Sequence, residues 1–194
     1  MDSAVAGLVL AAGAGRRYGT PKALVTLDGS LLVERAARTL AAGGCDPVTV
    51  VLGAAADDVL ARADLGPVRP VRNPDWATGM GSSLRAGLAA LPAGCDAVLV
   101  LLVDTPHVTA GAVARLRAVA APDALAAASY AGRRGHPVLL GRDHWPGVAA
   151  LAVGDTGARP YLARHDVTAV DCTGLGDDTD LDVPPAPPRP APHG

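Results

Sequence analysis

The chain contains no phenylalanine, and aromatic residues make up only 3% of its 194 positions. Its hydrophobic content of 49% must therefore be carried by Val, Leu and Ala. That composition suits a buried parallel sheet covered by small-residue helices. No apolar run reaches the ~20 residues needed to cross a bilayer, and the first residues do not resemble a signal peptide. The expectation is a cytoplasmic protein with no membrane partner. A basic block is also missing and the formal net charge is −2, which argues against nucleic acid as a partner. Cysteine is scarce: Cys45, Cys95 and Cys172 lie far apart, without zinc or redox spacing. They read as buried small hydrophobes in a reducing compartment. Ser82 and Ser83 lack a G-x-S-x-G elbow. The five histidines, His107, His136, His144, His165 and His193, lack H-E-x-x-H spacing. Hydrolase and zinc-enzyme readings have no support.

What is present begins with Leu10-Ala11-Ala12-Gly13-Ala14-Gly15-Arg16-Arg17-Tyr18-Gly19-Thr20-Pro21-Lys22. It follows an apolar run, Val5 to Leu10, that reads as a buried strand. The glycines allow a tight turn, and Arg16, Arg17 and Lys22 bring cations to the same loop. Backbone N–H groups and positive charge together suit a polyphosphate. The loop is not a Walker A motif, because Gly19 is followed by Thr20-Pro21-Lys22 and no hydroxyl follows the lysine. Nor is it a dinucleotide fingerprint. Gly13, Gly15 and Gly19 are spaced one residue too far, and Pro21 sits where that helix should be under way.

Strand-like and helix-like runs alternate along the rest of the chain. Ser30 is read as the N-cap of a helix through Leu40, ended by Gly43-Gly44. Val48–Leu52 is a strand, Asp57–Ala63 a helix, Val68–Val71 a short strand and Ser82–Leu91 a helix. Ala97–Val103 is a continuous apolar strand ending at Asp104, followed by a helix over Ala112–Val119. Then come Leu125–Tyr130, a strand His136–Leu140, a helix around Arg159–His165 and a last strand Val167–Val170. This order predicts a single-domain α/β protein: a three-layer α/β/α sandwich with a Rossmann-like, mainly parallel sheet, over residues 1–183. The remainder, 184–194, is dominated by proline and is expected to be a disordered tail. In such sheets ligands sit beyond the carboxyl ends of strands. The loop after Leu10, the segment after Val71 and Asp104 all leave such ends.

Five further segments carry candidate chemistry. Asp104 stands at the tip of a buried strand, where a rigid carboxylate suits Mg²⁺; an Asp before Thr105-Pro106 also suits a simple turn. Asp177, Asp178, Asp180 and Asp182 form a late acidic cluster, which by pattern alone is a solvated edge. Asn73-Pro74-Asp75-Trp76-Ala77-Thr78-Gly79-Met80-Gly81-Ser82-Ser83-Leu84 offers an amide suited to a base or ribose edge, glycines that permit close approach, and a helix N-terminus that favours an anion. As a bare pattern it is an ordinary glycine-serine turn with a cap. Gly135-His136-Pro137 and Gly154-Asp155-Thr156-Gly157-Ala158-Arg159 complete the set. Arg159 suits phosphate and suits a helix surface equally well.

The first loop resembles L-A-[AG]-G-x-x-x-R-M-G-x-x-K, the signature of the MobA-like nucleotidyltransferases that build molybdenum-cofactor dinucleotides. Tyr18 stands where methionine is usual. Ala12 is similar to the cytidylyltransferase form; the guanylyltransferase form has glycine there. The other segments look like the family's D-x-P, N-P-x-W-x-x-G-M-x-x-S-L, R-G-H-P, G-D-x-G-A-R and D-[IV]-D-T-P, in that family's order but with Thr105 and Val183 departing from the usual residues. The resemblance spans Leu10 to Pro184. It implies transfer of CMP from CTP to the terminal phosphate of molybdopterin, with release of pyrophosphate. No enzyme nucleophile is needed, because the acceptor phosphate is already an anion; the protein must align two polyanions for in-line attack. On this resemblance Arg17, Lys22 and Asp104 are catalytic. Leu10, Ala11, Ala12, Gly13, Gly15, Gly19, Asn73, Gly79 and Ser82 join them around the nucleotide. Ser83, His136 and Arg159 meet the acceptor. Asp104 and Asp182 hold Mg²⁺, with Asp180 as the alternative to Asp182.

The nearest alternative is a related transferase using GTP, or another phosphorylated acceptor such as a sugar phosphate, phospholactate or methylerythritol phosphate. A dehydrogenase is disfavoured by the glycine spacing. A non-enzymatic reading is a carrier or chaperone that delivers molybdenum cofactor to a client molybdoenzyme.

Overall fold

The computed structural model describes residues 3–181; Asp182 and the expected tail at 184–194 lie outside them. The strands are β1 (Val5–Ala11), β2 (Thr26–Leu27), β3 (Ser30–Leu31), β4 (Val48–Leu52), β5 (Arg69–Arg72), β6 (Ala97–Leu102), β7 (Leu125–Tyr130), β8 (Arg133–Gly141) and β9 (Thr168–Asp171). The helices are α1 (Leu32–Ala42), α2 (Ala56–Arg62), α3 (Met80–Ala89), α4 (Ala110–Arg117), α5 (Trp145–Leu151) and α6 (Arg159–Leu162). Seven strands form one sheet in the order β5-β4-β1-β6-β8-β7-β9, and β2 pairs with β3 in a small hairpin.

The layers follow from the period-two alternation of strand side chains. Along β1, Val5, Val9 and Ala11 face one apolar cluster, together with Leu40 of α1, Val59 of α2 and Leu116 of α4. Ala6, Leu8 and Leu10 face the other, with Leu84 and Leu88 of α3 and Val148 of α5. Leucine and valine fill both layers, so the absence of Phe leaves no deficit. Leu8, Leu40 and Leu84 are among the fully buried side chains, where truncation of a leucine to alanine costs about 2–5 kcal/mol.

β4, β5 and β6 run parallel to their neighbours around β1, so the segments after β1, β5 and β6 leave from one rim. β8 is the strand that makes the sheet mainly, and not wholly, parallel. It runs antiparallel to both β6 and β7. The cause is a two-residue connection from β7, in which Ala131 (φ 50°) and Gly132 (φ 81°) both take positive φ, the geometry of a tight hairpin turn. An Ala-Gly pair is a weak signal for that turn, and β8 is also longer than expected, starting at Arg133. Its reversal puts Arg133–His136 beside the end of β6.

Two other local differences have clear causes. Ser30 lies in β3, paired with Leu27, so α1 starts at Leu32. Its entry is capped by Glu34, whose Oε2 accepts the Leu31 backbone N–H at 3.1 Å; leucine has no acceptor to return. Helix α5 adds an element to the expected order: the short run Trp145–Leu151 packs onto the sheet through the buried Val148.

Candidate nucleotide and acceptor site

The loop after β1 is held by its own backbone. Gly15 has φ +61°, and a Cβ there would lie 1.8 Å from the Thr20 carbonyl oxygen, so no larger residue fits. The Gly19 N–H donates to the Gly15 carbonyl at 2.8 Å. Gly19 therefore closes the turn. The N–H groups of Gly13 and Gly15 have no acceptor among the described residues. Arg16 and Arg17 are exposed. Ala11 and Ala12 are buried under the loop, with the Ala12 methyl in the same apolar cluster as Leu10 and Leu84.

Beyond Pro21 the chain makes a short helical turn, Lys22–Leu24. It carries the lysine back to the sheet, where Nζ donates to Asp104 Oδ2 at 2.7 Å. Asp104 follows the end of β6, next to β1. The Leu181 backbone N–H donates to the Asp104 carbonyl at 2.8 Å, and Asp177 N–H to the His107 carbonyl at 3.3 Å. The late acidic segment thus runs from β9 across the rim to Asp104.

This donor set suits a hard divalent cation. Mg²⁺ needs one or two carboxylates and takes its remaining oxygens from phosphate and water. Asp104 meets the first requirement at a rigid strand end. Among the described residues no cluster of three or more His, Cys, Asp or Glu forms a self-contained metal cage, so an ion here would depend on ligand oxygens.

The segment after β5 is tied into the fold by its own polar side chains. Asn73 is 4% exposed. Its amide donates to Ser82 Oγ at 2.8 Å and Ser83 Oγ at 3.0 Å, and its Oδ1 accepts from Asp75 N–H at 3.0 Å. Ser82 Oγ reaches the carbonyls of Asp75 and Gly79 at 2.9 Å. Asn73, Ser82 and Ser83 therefore lock the loop to the start of α3. A Cβ on Gly79 would lie 2.4 Å from the backbone of Gly154. Its close approach is to this chain's own loop. A polar residue's partner is invisible in sequence, because ligand and protein atoms satisfy the same donors.

At the end of β6, where Leu102 lines it, opens a cleft of about 730 Å³. Its apolar floor includes Leu102, Val138 and Leu162, and its walls carry Arg133, Arg134, His136 and Arg159 with Asp155, Asp178 and Asp180. His136 and Arg159, far apart in sequence, are thus brought to one cavity. Burial pushes the His136 imidazole below its ordinary value; Asp178 and Asp104 oppose that shift and Arg159 adds to it. Sequence reasoning did not single out Arg133, and it noted Asp178 only as part of an acidic run. Yet the two are ion-paired at 2.7 Å across 45 residues. The one available signal was their closeness to Gly135-His136 and Asp180.

Among the described residues no helix is long and apolar enough to cross a membrane. The three cysteines are free and buried.

Residues 7–169 match the model of the MobA-like NTP transferase domain. The chain is 43% identical to a nicotine blue oxidoreductase of Paenarthrobacter nicotinovorans, over 92% of each chain. It is 38% identical to a molybdenum cofactor guanylyltransferase of Cereibacter sphaeroides, over 82% of this chain and 81% of that one. Among solved structures, Rv0371c of Mycobacterium tuberculosis H37Rv superposes with a TM-score of 0.80 at 27% identity, over 93% of this chain and 94% of that one. The same protein has been solved in complex with manganese, with a TM-score of 0.75 at 26% identity. Sheet order, the loop after β1 and these matches lead to one conclusion: the chain belongs to the MobA-like NTP transferase family.

Proposed function

We propose that this protein transfers CMP from CTP to the phosphate of molybdopterin in a Mg²⁺-dependent reaction, giving molybdopterin cytosine dinucleotide and pyrophosphate. One observation carries the reading: Lys22 meets Asp104 at the rim of the sheet, and Asp104 acts electrostatically on His136, which lines a cleft together with Arg159 and with Leu102 at the end of the same strand. That arrangement supplies a triphosphate side and an acceptor side to one centre.

In this reading the N–H groups of Gly13 and Gly15 bind phosphate oxygens. Arg17, from its exposed position, and Lys22 balance the charge of the departing pyrophosphate. Asp104 holds the divalent ion, with Asp182 as the proposed second ligand; manganese in the M. tuberculosis relative supports a divalent metal of some kind. When bound, the ion neutralises phosphate charge as the bond to the leaving group breaks. Arg159 binds the acceptor's anionic group, while the His136 imidazole, kept neutral by burial, hydrogen-bonds the acceptor without adding charge. The apolar floor around Leu102, Val138 and Leu162 receives the flat part of the acceptor and excludes water that would compete for the α-phosphorus. Ala12 supports CTP over GTP, because a methyl under the loop leaves less room for a purine than the glycine of the guanylyltransferase form.

A second reading has its own support. The relative at 43% identity is named as an oxidoreductase, so the same cleft is to be weighed as a site for reduction of a flat heteroaromatic compound. The glycine spacing, one residue longer than the dinucleotide fingerprint, weighs against it. A single panel separates the two. Purified protein is given labelled CTP or GTP with molybdopterin and Mg²⁺, and in parallel NADH or NADPH with nicotine blue. Pyrophosphate release dependent on molybdopterin, fastest with CTP, supports the proposal. Oxidation of the reduced nicotinamide without any nucleotidyl transfer would overturn it, and preference for GTP would correct the nucleotide.

A further inference from the structure

The strand that carries His136 is interrupted where it meets the cleft. β7 pairs Ala127 with Val138 and then Ala128 with Gly135, so His136 and Pro137 are two extra residues on β8. Such a bulge re-aims a side chain and lifts its backbone out of the ladder. The backbone groups of His136 then need other partners. Its carbonyl accepts from the Tyr130 hydroxyl at 2.9 Å. Its N–H donates to Asp178 Oδ2 at 3.3 Å.

Asp178 is built for that place. It is 8% exposed. Oδ1 accepts from Arg133 Nη2 at 2.7 Å, which compensates a charge that burial alone would disfavour. A Cβ on Gly135 would lie 1.8 Å from Asp178 Oδ2 and 2.4 Å from its Cγ. The carboxylate thus fills the space of the missing side chain. Both groups facing it are donors, so an acceptor-only carboxylate satisfies both, whereas an amide would turn its NH₂ against one of them. The segment around Asp178 is also fastened to the loop after β6, through Val108 and Gly176 and through the Leu181 bond to Asp104.

We propose that Asp178 is a positioning residue: seated against Gly135, it locks the late acidic segment onto the His136 bulge and so sets His136 relative to Asp104. The inference rests on the nucleotidyl-transfer reading for its effect on the acceptor, but the lock itself is a property of the fold. Arg133 and Gly135 belong to the same device, one as counter-charge and the other as the space the carboxylate occupies. The device acts on the acceptor side and leaves the loop after β1 alone.

The test uses the full chain with Asp178→Asn, Asp178→Ala, Gly135→Ala and the double variant Gly135→Ala/Asp178→Ala. Two readouts are taken: amide hydrogen exchange of the peptide spanning 176–181, and separate KM values for CTP and molybdopterin. Asp178→Asn and Gly135→Ala should each speed exchange in that peptide about tenfold and raise the KM for molybdopterin about tenfold. The KM for CTP should stay within about twofold. The double variant should be no worse than Asp178→Ala, since the methyl then meets no carboxylate. Wild-type exchange in both Asp178→Asn and Gly135→Ala, or purely additive effects in the double variant, overturns the lock. An equal rise in both KM values overturns its acceptor-side role. If wild-type protein transfers no nucleotide at all, the functional reading fails and the exchange data alone decide the lock.

Discussion

Lys22 Nζ donates to Asp104 Oδ2 at 2.7 Å, although 82 positions separate the two residues in the chain. Their side chains are only 15% and 22% exposed, so solvent and salt screen the pair less than a surface bridge. The lysine arrives on the turn after Pro21 and the acid on the end of β6, and the strands that launch them are parallel neighbours. In the proposed reaction these charges exchange partners: Lys22 turns to phosphate oxygens and Asp104 to the divalent ion.

Lys22→Ala should lower turnover by ~10²-fold or more, because it removes a cation that acts on charge developing at the leaving pyrophosphate. Steady-state pyrophosphate release with saturating CTP and molybdopterin measures this. Unaltered turnover would refute the role.

Asp104→Asn should abolish metal-dependent transfer while the protein keeps its fold, as read by an unchanged far-ultraviolet circular dichroism spectrum. The amide preserves shape but loses the charge a hard cation requires. Full activity at the same Mg²⁺ concentration would remove Asp104 from the metal site.

Ala12→Gly should raise the use of GTP relative to CTP. The methyl is buried with Leu10 and Leu84, and deleting it frees room beneath the nucleotide loop. The ratio of kcat/KM for the two nucleotides is the measure; an unchanged ratio would locate base selection elsewhere.

His136 gives the stability a pH dependence. Its folded pKa lies below the ordinary 6.5, chiefly through burial. Between the two values the unfolded chain binds a proton that the folded chain does not, so stability falls as pH drops from above 6.5 through the folded value. Tm should decline as pH falls below about 7.5, and His136→Gln should flatten that decline. An equal slope in both proteins would show that other groups set it.

The cysteines should be inert in the native protein. Burial pushes the Cys45 thiol up to about 12, and burial likewise raises Cys95 and Cys172. Thiolate is the reactive form, so iodoacetamide at about pH 8 should label none of the three until the chain is denatured. Mass spectrometry reads this directly, and rapid native labelling of any one would show an open path to it.

Much of the molecule was legible from residue order. The apolar runs at Val5 and Ala97 announced central strands, and Asp104 stood visibly at a strand end. The glycine-arginine loop stood out as the candidate nucleotide side. Some features carried no local mark. The turn at Ala131-Gly132 looks like any small-residue pair, and Ser30 looks like a helix cap while serving a hairpin strand. Asn73 looks like a ligand-facing amide while its hydrogen bonds run to Ser82, Ser83 and Asp75.

The sequence by itself determined the layered α/β architecture and the candidate residues, because apolar periodicity and strand-end positions are local properties of the chain. Only the tertiary structure decided the reversal of β8, the pairing of Lys22 with Asp104 and the seating of Asp178 against Gly135. Those depend on which distant segments share a rim, and a polar side chain carries no local sign of whether a ligand, water or another part of the protein will satisfy it.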